Sequence, residues 1–241
     1  MLATSTKKFS MNSSCRRWLG CDPPTARPQR FAPLVVCLLI PAIAGCGRQP
    51  SSLHVPPPPF DPPHIGAQAM ATYDTDQDSH LSVQELAACD GIARHLKDYD
   101  LDGDNRVSAG EIAGRVNRWI AANTGLVQFS FSVTWNGSPL QGAHVELIPE
   151  NFFESLLLPG SGTTDASGSV TVSIAGDQLP ETHRNFPVMK PGIYKVRITH
   201  PQLQIPPRYN TRTTLGCEVS SETGNPTSRI RFELQGLENK T

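Results

Sequence analysis

The stretch "YDTDQDSHLSVQEL", residues 73–86, recurs in outline 26 residues later as "YDLDGDNRVSAGEI", residues 99–112. Each copy sets three aspartates at alternate positions, Asp74, Asp76 and Asp78 in the first and Asp100, Asp102 and Asp104 in the second, and closes with Glu85 or Glu111. Four carboxylates within twelve residues repel one another. The chain at these points therefore has to run as a surface loop, and drawing the loop tight calls for a cation. Calcium takes six to eight hard oxygen ligands in a flexible shell and suits such a loop. Magnesium keeps several waters in a tight octahedron and suits it less well.

Read as twelve-residue loops, 74–85 and 100–111 carry carboxylates at positions 1, 3, 5 and 12 and serines, Ser82 and Ser108, at position 9. This layout resembles the EF-hand. The resemblance implies two calcium sites, with His80 and Arg106 at position 7 contributing backbone carbonyls and Glu85 and Glu111 contributing both carboxylate oxygens. It also implies that Leu81 and Val107, at position 8, join the two loops through a short β bridge. Position 6 departs from the family's glycine, being Ser79 in the first loop and Asn105 in the second. A left-handed backbone there suits asparagine better than serine, so loop 74–85 is expected to be the weaker site. The fourteen-residue connection 86–99 is short for two full helices.

Around the loops, residues 65–122 read as helical. Ile92, Leu96 and Tyr99 form one apolar stripe, and Ile112, Val116, Trp119 and Ile120 form another. Asp90-Gly91 breaks the segment between the loops and favours short helices there. From about residue 125 the period changes to two. "VQFSFSVTW" alternates apolar and polar residues, and "HVELI", "SVTVSI", "GIYKVRI", "TTLGCEV" and "SRIRFEL" follow, punctuated by the turns "NGSP" and "DASG". Six or seven short strands of this kind predict a β-sandwich, because each amphipathic strand must bury one face. "NGS" at Asn136 also matches a glycosylation sequon, but it reads better as a turn.

Residues 127–235 resemble the carboxypeptidase regulatory-like domain, a transthyretin-like β-sandwich. The resemblance is carried by "NGSPLQGAHVELIPE", "GTTDASGSVTV", "PGIYKVRITHP" and "IPPRYNTRTTL". These segments determine a fold rather than a chemistry. Transthyretin-like hydrolases end in a Tyr-Arg-Gly-Ser motif where this chain ends "LQGLENKT", so their activity is not carried over. The predicted fold class is thus multidomain α plus all-β: a small helical EF-hand pair at 65–122, followed by an antiparallel transthyretin-like or Ig-like β-sandwich at 125–237.

Upstream, residues 1–45 read as a signal peptide. Basic residues Lys7, Lys8, Arg16, Arg17, Arg27 and Arg30 precede the apolar run "FAPLVVCLLIPAIAG". That run falls short of the roughly 20 residues that span a bilayer. It ends in "IAGC", which resembles the bacterial lipobox and implies lipidation of Cys46. Two or more acyl chains anchor a protein stably to a membrane. Residues 46–64 then carry the lipidated cysteine and a proline-rich tether of polyproline II character. Loss of the leader removes six basic residues and one acidic residue, turning a formal charge of −1 into −6. Of the six cysteines, Cys89 and Cys217 remain, either as a disulfide permitted by export or as two buried thiols.

Other chemistry is thinly represented. The seven histidines form no H-E-x-x-H set, and neither C-x-x-C nor G-x-S-x-G occurs. Lys190, Lys195, Arg197, Arg208, Arg212, Arg229 and Arg231 lend the β region some basic character, which reads as the polar face of its strands. Neither the charge nor the composition suggests a nucleic-acid binder. The resulting expectation is an exported, membrane-anchored lipoprotein of the bacterial cell envelope. It holds two calcium ions and has a non-catalytic structural or binding role, with an envelope protein or polysaccharide as partner. The alternative is an envelope enzyme, or an accessory subunit of one, acting on peptide or polysaccharide.

Overall fold

The structure is a computed structural model and describes residues 54–153, 155–222 and 230–236. The leader, Cys46, the tether as far as residue 53, and Arg229 lie outside the described residues. The helical half runs α1 (Pro62–Tyr73), β1 (His80–Leu81), α2 (Val83–Leu86), α3 (Asp90–Ala93), α4 (Leu96–Tyr99), β2 (Val107–Ser108) and α5 (Ala109–Ala121). The strand half runs β3 (Phe129–Trp135), β4 (Ser138–Pro139), β5 (His144–Pro149), β6 (Gly160–Thr163), β7 (Ser169–Ile174), β8 (Gly192–Thr199), β9 (Gly216–Val219) and β10 (Arg231–Leu234).

Helix α1 starts where its chemistry dictates. Asp61 caps it by accepting from the His64 amide, and the prolines of its first turn lack only an amide the helix would leave unpaired. It therefore begins inside the proline-rich stretch expected as a tether. The preceding residues are packed as well: Val55 accepts from the Gly125 amide at 2.9 Å, and Phe60 is buried against Trp119 and Phe153. The connection 86–99 resolves into the one-turn helices α3 and α4. Gly91 lies within α3, at a point where a side chain would strike Ile193 and come within 3.2 Å of the Cys217 carbonyl.

The β-rich half is present with every predicted strand, and the short β4 and β6 join them. Where the sequence predicts two packed sheets, the strands follow a single hydrogen-bonded path, β10-β3-β7-β6-β5-β8-β9, with β4 on β3. The sheet curls strongly into a half-barrel. β7 pairs with β3 through Ser169–Val172 and with β6 through Ser173 and Ile174. All neighbours are antiparallel except β10, which lies parallel to β3. The β3–β4 hairpin turns at Asn136 and Gly137, with φ of 50° and 82°, the left-handed pair that such a turn needs.

The helical half packs against this sheet, and the described residues share one hydrophobic core. Helix α3 reaches both edge strands. Asp90 accepts from the Gly216 amide of β9 at 3.2 Å, and the Arg94 guanidinium, just past α3, sits 4.7 Å over the Phe232 ring of β10.

Candidate metal centre

The two acidic segments form matching loops. Asp74 ends α1 and Asp100 ends α4, with nearly the same backbone conformation, φ −75° and ψ 94° against φ −65° and ψ 94°. The chain then winds around its own carboxylates. Asp74 Oδ2 accepts from the Ser79 amide at 3.0 Å, and Asp100 Oδ2 accepts from the Asn105 amide at 2.9 Å. Asp76 accepts from Asp78, and Asp102 from Asp104. Asp78 accepts from the His80 amide, and Asp104 from the Arg106 amide. The three aspartates of each loop thereby bring carboxylate oxygens within 4.8 Å of one another, a convergence that involves Asp74, Asp76 and Asp78 in one loop and Asp100, Asp102 and Asp104 in the other.

Position 6 adopts the left-handed backbone expected of it, with φ of 70° at Ser79 and 60° at Asn105. Position 4 does the same, at Gln77 in the first loop and Gly103 in the second. Loop 74–85 therefore holds two side-chain-bearing residues in a region that costs an L-residue about 1–2 kcal/mol each, whereas loop 100–111 holds one. The two loops meet through β1 and β2, in which Leu81 pairs with Val107 and His80 with Ser108.

Glu85 and Glu111 stand apart from the aspartate triads and close the loops from the helix side. Ser82 and Ser108 cap α2 and α5 in reciprocal capping boxes with these glutamates. Glu85 also accepts from the Thr75 amide at 2.7 Å, and Glu111 from the Leu101 amide at 2.8 Å. The amides of Ser82 and Thr75, helped by the hydroxyls of the same residues, pull the Glu85 carboxyl down from 4.5 to about 2. Burial works to raise Glu111, but the amides of Ser108 and Leu101 outweigh it and hold the carboxyl below its ordinary value.

The donor set of each loop consists of hard oxygens, and one of them is left over. Asp74 Oδ1 is shielded from solvent and has no hydrogen-bond partner among the described residues. A cation between the aspartates would satisfy that atom, so the residues present fit a divalent ion. His80 and Arg106 occupy the predicted carbonyl positions, and their side chains turn to the first loop. The Arg106 guanidinium lies 2.7 Å from Asp78 Oδ2, and the His80 ring nitrogen is 3.2 Å from the Asp78 carbonyl. Cys46, the predicted lipidation site, lies outside the described residues.

Behind the loops lies a buried polar layer that sequence reasoning did not find. Tyr73 donates its hydroxyl to Glu150 at 2.7 Å, and Glu150 is also 3.4 Å from the Lys195 ammonium and 3.7 Å from the Cys89 thiol. Tyr99 donates to Glu218 at 3.0 Å; Glu218 also receives Arg115 through two nitrogens, at 2.6 and 3.1 Å, and Trp119 Nε1 at 3.3 Å. Both carboxylates are buried, Glu150 at 1 % and Glu218 at 0 % exposure. Burial drives the Tyr73 and Tyr99 hydroxyls and the Cys89 thiol well above their ordinary values, and the neighbouring carboxylates add to the effect. The only sequence signal for this layer is the tyrosine before the first aspartate of both repeats, since its partners lie 77 and 119 residues away. Cys89 and Cys217 are separate buried thiols.

The chain matches no known family model and has no significant match among curated proteins or solved structures.

Proposed function

We propose that loops 74–85 and 100–111 are a pair of calcium sites of EF-hand type, carried on a non-catalytic protein of the bacterial cell envelope. The observation that carries this reading is the matched geometry of the loops. Each draws three aspartates to one point, and the two are joined at position 8 by the Leu81–Val107 pair. Asp74, Asp76, Asp78 and Glu85 would hold one ion with the carbonyl of His80, and Asp100, Asp102, Asp104 and Glu111 the other with the carbonyl of Arg106. Ser82 and Ser108 stand at the remaining loop position. Bound calcium supplies positive charge that relieves carboxylate repulsion. The protein supplies pre-wound loops, capping boxes and a rigid sheet behind them.

The lipobox-like "IAGC" and the leader before it support a membrane anchor through lipidation of Cys46. Among the described residues, no helix is long and apolar enough to cross a membrane. Outside the cytoplasm, calcium concentrations saturate even sites with dissociation constants of about 10⁻⁴ M, which favours constant occupancy and a structural role. The curled sheet, resembling a transthyretin-like domain in its sequence, is then the part that meets an envelope protein or polysaccharide. Calorimetric titration of the mature protein with calcium chloride tests the reading. Two equivalents bind, Asp104→Asn removes the tighter, and heats no larger than those of buffer end the proposal.

A further inference from the structure

Each acidic loop is tied to the sheet by the residue immediately before its first aspartate. Tyr73 precedes Asp74 and donates to Glu150 beyond the end of β5; Tyr99 precedes Asp100 and donates to Glu218 in β9. The two latches share a design. In both, a tyrosine hydroxyl from the last turn of a helix meets a fully buried carboxylate that also receives a cation, Lys195 from β8 in one case and Arg115 from α5 in the other. The tyrosine rings are themselves held. Tyr73 packs edge-on to Phe152 at 6.2 Å, and Arg115 lies 5.9 Å over the Tyr99 ring.

One peptide bond separates each anchored tyrosine from the aspartate that starts the loop, and that aspartate accepts the amides that wind the loop. Fixing the tyrosine fixes where the first carboxylate stands, as groups outside a metal's ligand shell commonly do for the ligands they orient.

We propose that Tyr73 and Tyr99 are positioning residues, which make cation occupancy of each loop and docking of the helical half on the sheet one linked equilibrium. This rests on the reading of the loops as calcium sites. Linkage is reciprocal: a cation that favours the wound loop favours the docked tyrosine, and a docked tyrosine raises affinity for the cation by the same factor. Each latch acts on its own loop, because Glu150 and Glu218 contact different tyrosines.

The test uses the mature protein and calcium chloride, with Tyr99→Phe and Tyr73→Phe, which keep the rings and remove only the hydroxyls. Titration calorimetry on backgrounds carrying Asp78→Asn or Asp104→Asn isolates the remaining loop. Tyr99→Phe is expected to weaken loop 100–111 about tenfold and leave loop 74–85 unchanged, and Tyr73→Phe to do the reverse. Hydrogen exchange adds a structural readout. Calcium slows exchange of the Gly216–Val219 amides in the wild type, and Tyr99→Phe abolishes that effect. A purely structural tyrosine would lower the melting temperature equally with and without calcium while leaving both affinities intact, and that result overturns the proposal. Wild-type protein that takes up no calcium overturns the loop reading and the proposal together, whereas wild-type binding matched by both variants overturns the proposal alone.

Discussion

Replacing Arg115 with methionine tests the claim that a buried ion pair binds the helical half to the sheet. Arg115 is 2 % exposed and Glu218 0 %, and two parallel bonds of 2.6 and 3.1 Å join them. A third nitrogen reaches Glu222, whose side chain is 59 % exposed, so that limb contributes at most about 1 kcal/mol. Removing one partner of a buried pair leaves an uncompensated charge and costs about 3–5 kcal/mol. Glu218 keeps the Tyr99 hydroxyl and Trp119 Nε1 as donors, which places the expected loss toward the lower end. For a folded unit of this size each kcal/mol shifts the melting temperature by about 2–4 °C, so a loss of about 3 kcal/mol should make Arg115→Met melt roughly 6–12 °C below the wild type. Differential scanning calorimetry in calcium-free buffer measures the shift. The double variant Arg115→Met/Glu218→Gln carries no stranded charge and still offers Tyr99 and Trp119 an acceptor, so it should be more stable than Arg115→Met alone. A loss under about 1 kcal/mol, or a double variant less stable than the single, would refute the assignment of this pair as an interdependent buried unit.

Three further outcomes follow from the geometry. Arg106→Gln removes a guanidinium held 2.7 Å from Asp78, a predicted ligand of the other loop, and should raise the calcium affinity of loop 74–85 by up to about fivefold in titration calorimetry; unchanged or weaker binding contradicts the placement. Cys89 and Cys217 are fully buried, with thiols pushed well above their ordinary values chiefly by burial, so a thiol-specific disulfide reagent should label neither in native protein and both after unfolding. In calcium-free protein, Glu85 and Glu150 should shape the pH dependence with opposite signs. The lowered Glu85 contributes stability that is full above 4.5 and fades as pH falls toward about 2. Glu150 is raised by burial, so its contribution is full below the ordinary carboxylate range and fades as pH rises through its shifted value. Urea unfolding across pH should therefore show Glu85→Gln flattening the acid-side rise and Glu150→Gln flattening the opposite slope.

Much of this architecture was legible in the order of residues because it is local. The repeated spacing of the aspartates lies within a few residues, and the left-handed positions at Ser79 and Asn105 and the pairing of Leu81 with Val107 are what the EF-hand resemblance implied from it. The inward alternation of Phe129, Phe131 and Val133 and the turn at Asn136-Gly137 are short-range in the same sense. Other features depend on where distant segments meet. The glycine at 91 reads as a helix breaker by propensity, yet it sits inside α3, where Ile193 of β8 and the Cys217 carbonyl of β9 leave no room for a side chain. Arg115 falls within the apolar stripe of α5, and only the arrival of Glu218, 103 residues later, makes its burial favourable.

Local chemistry alone thus determined two acidic loops, short helices around them, and a run of alternating strands. Tertiary structure decided that the strands curl into one sheet, that the proline-rich stretch packs from Val55 onward, and that Tyr73 and Tyr99 end on buried carboxylates. The division has a physical reason. Backbone preference and periodicity are properties of neighbours in the chain, whereas a buried charge is stable only beside a partner that folding delivers from far away.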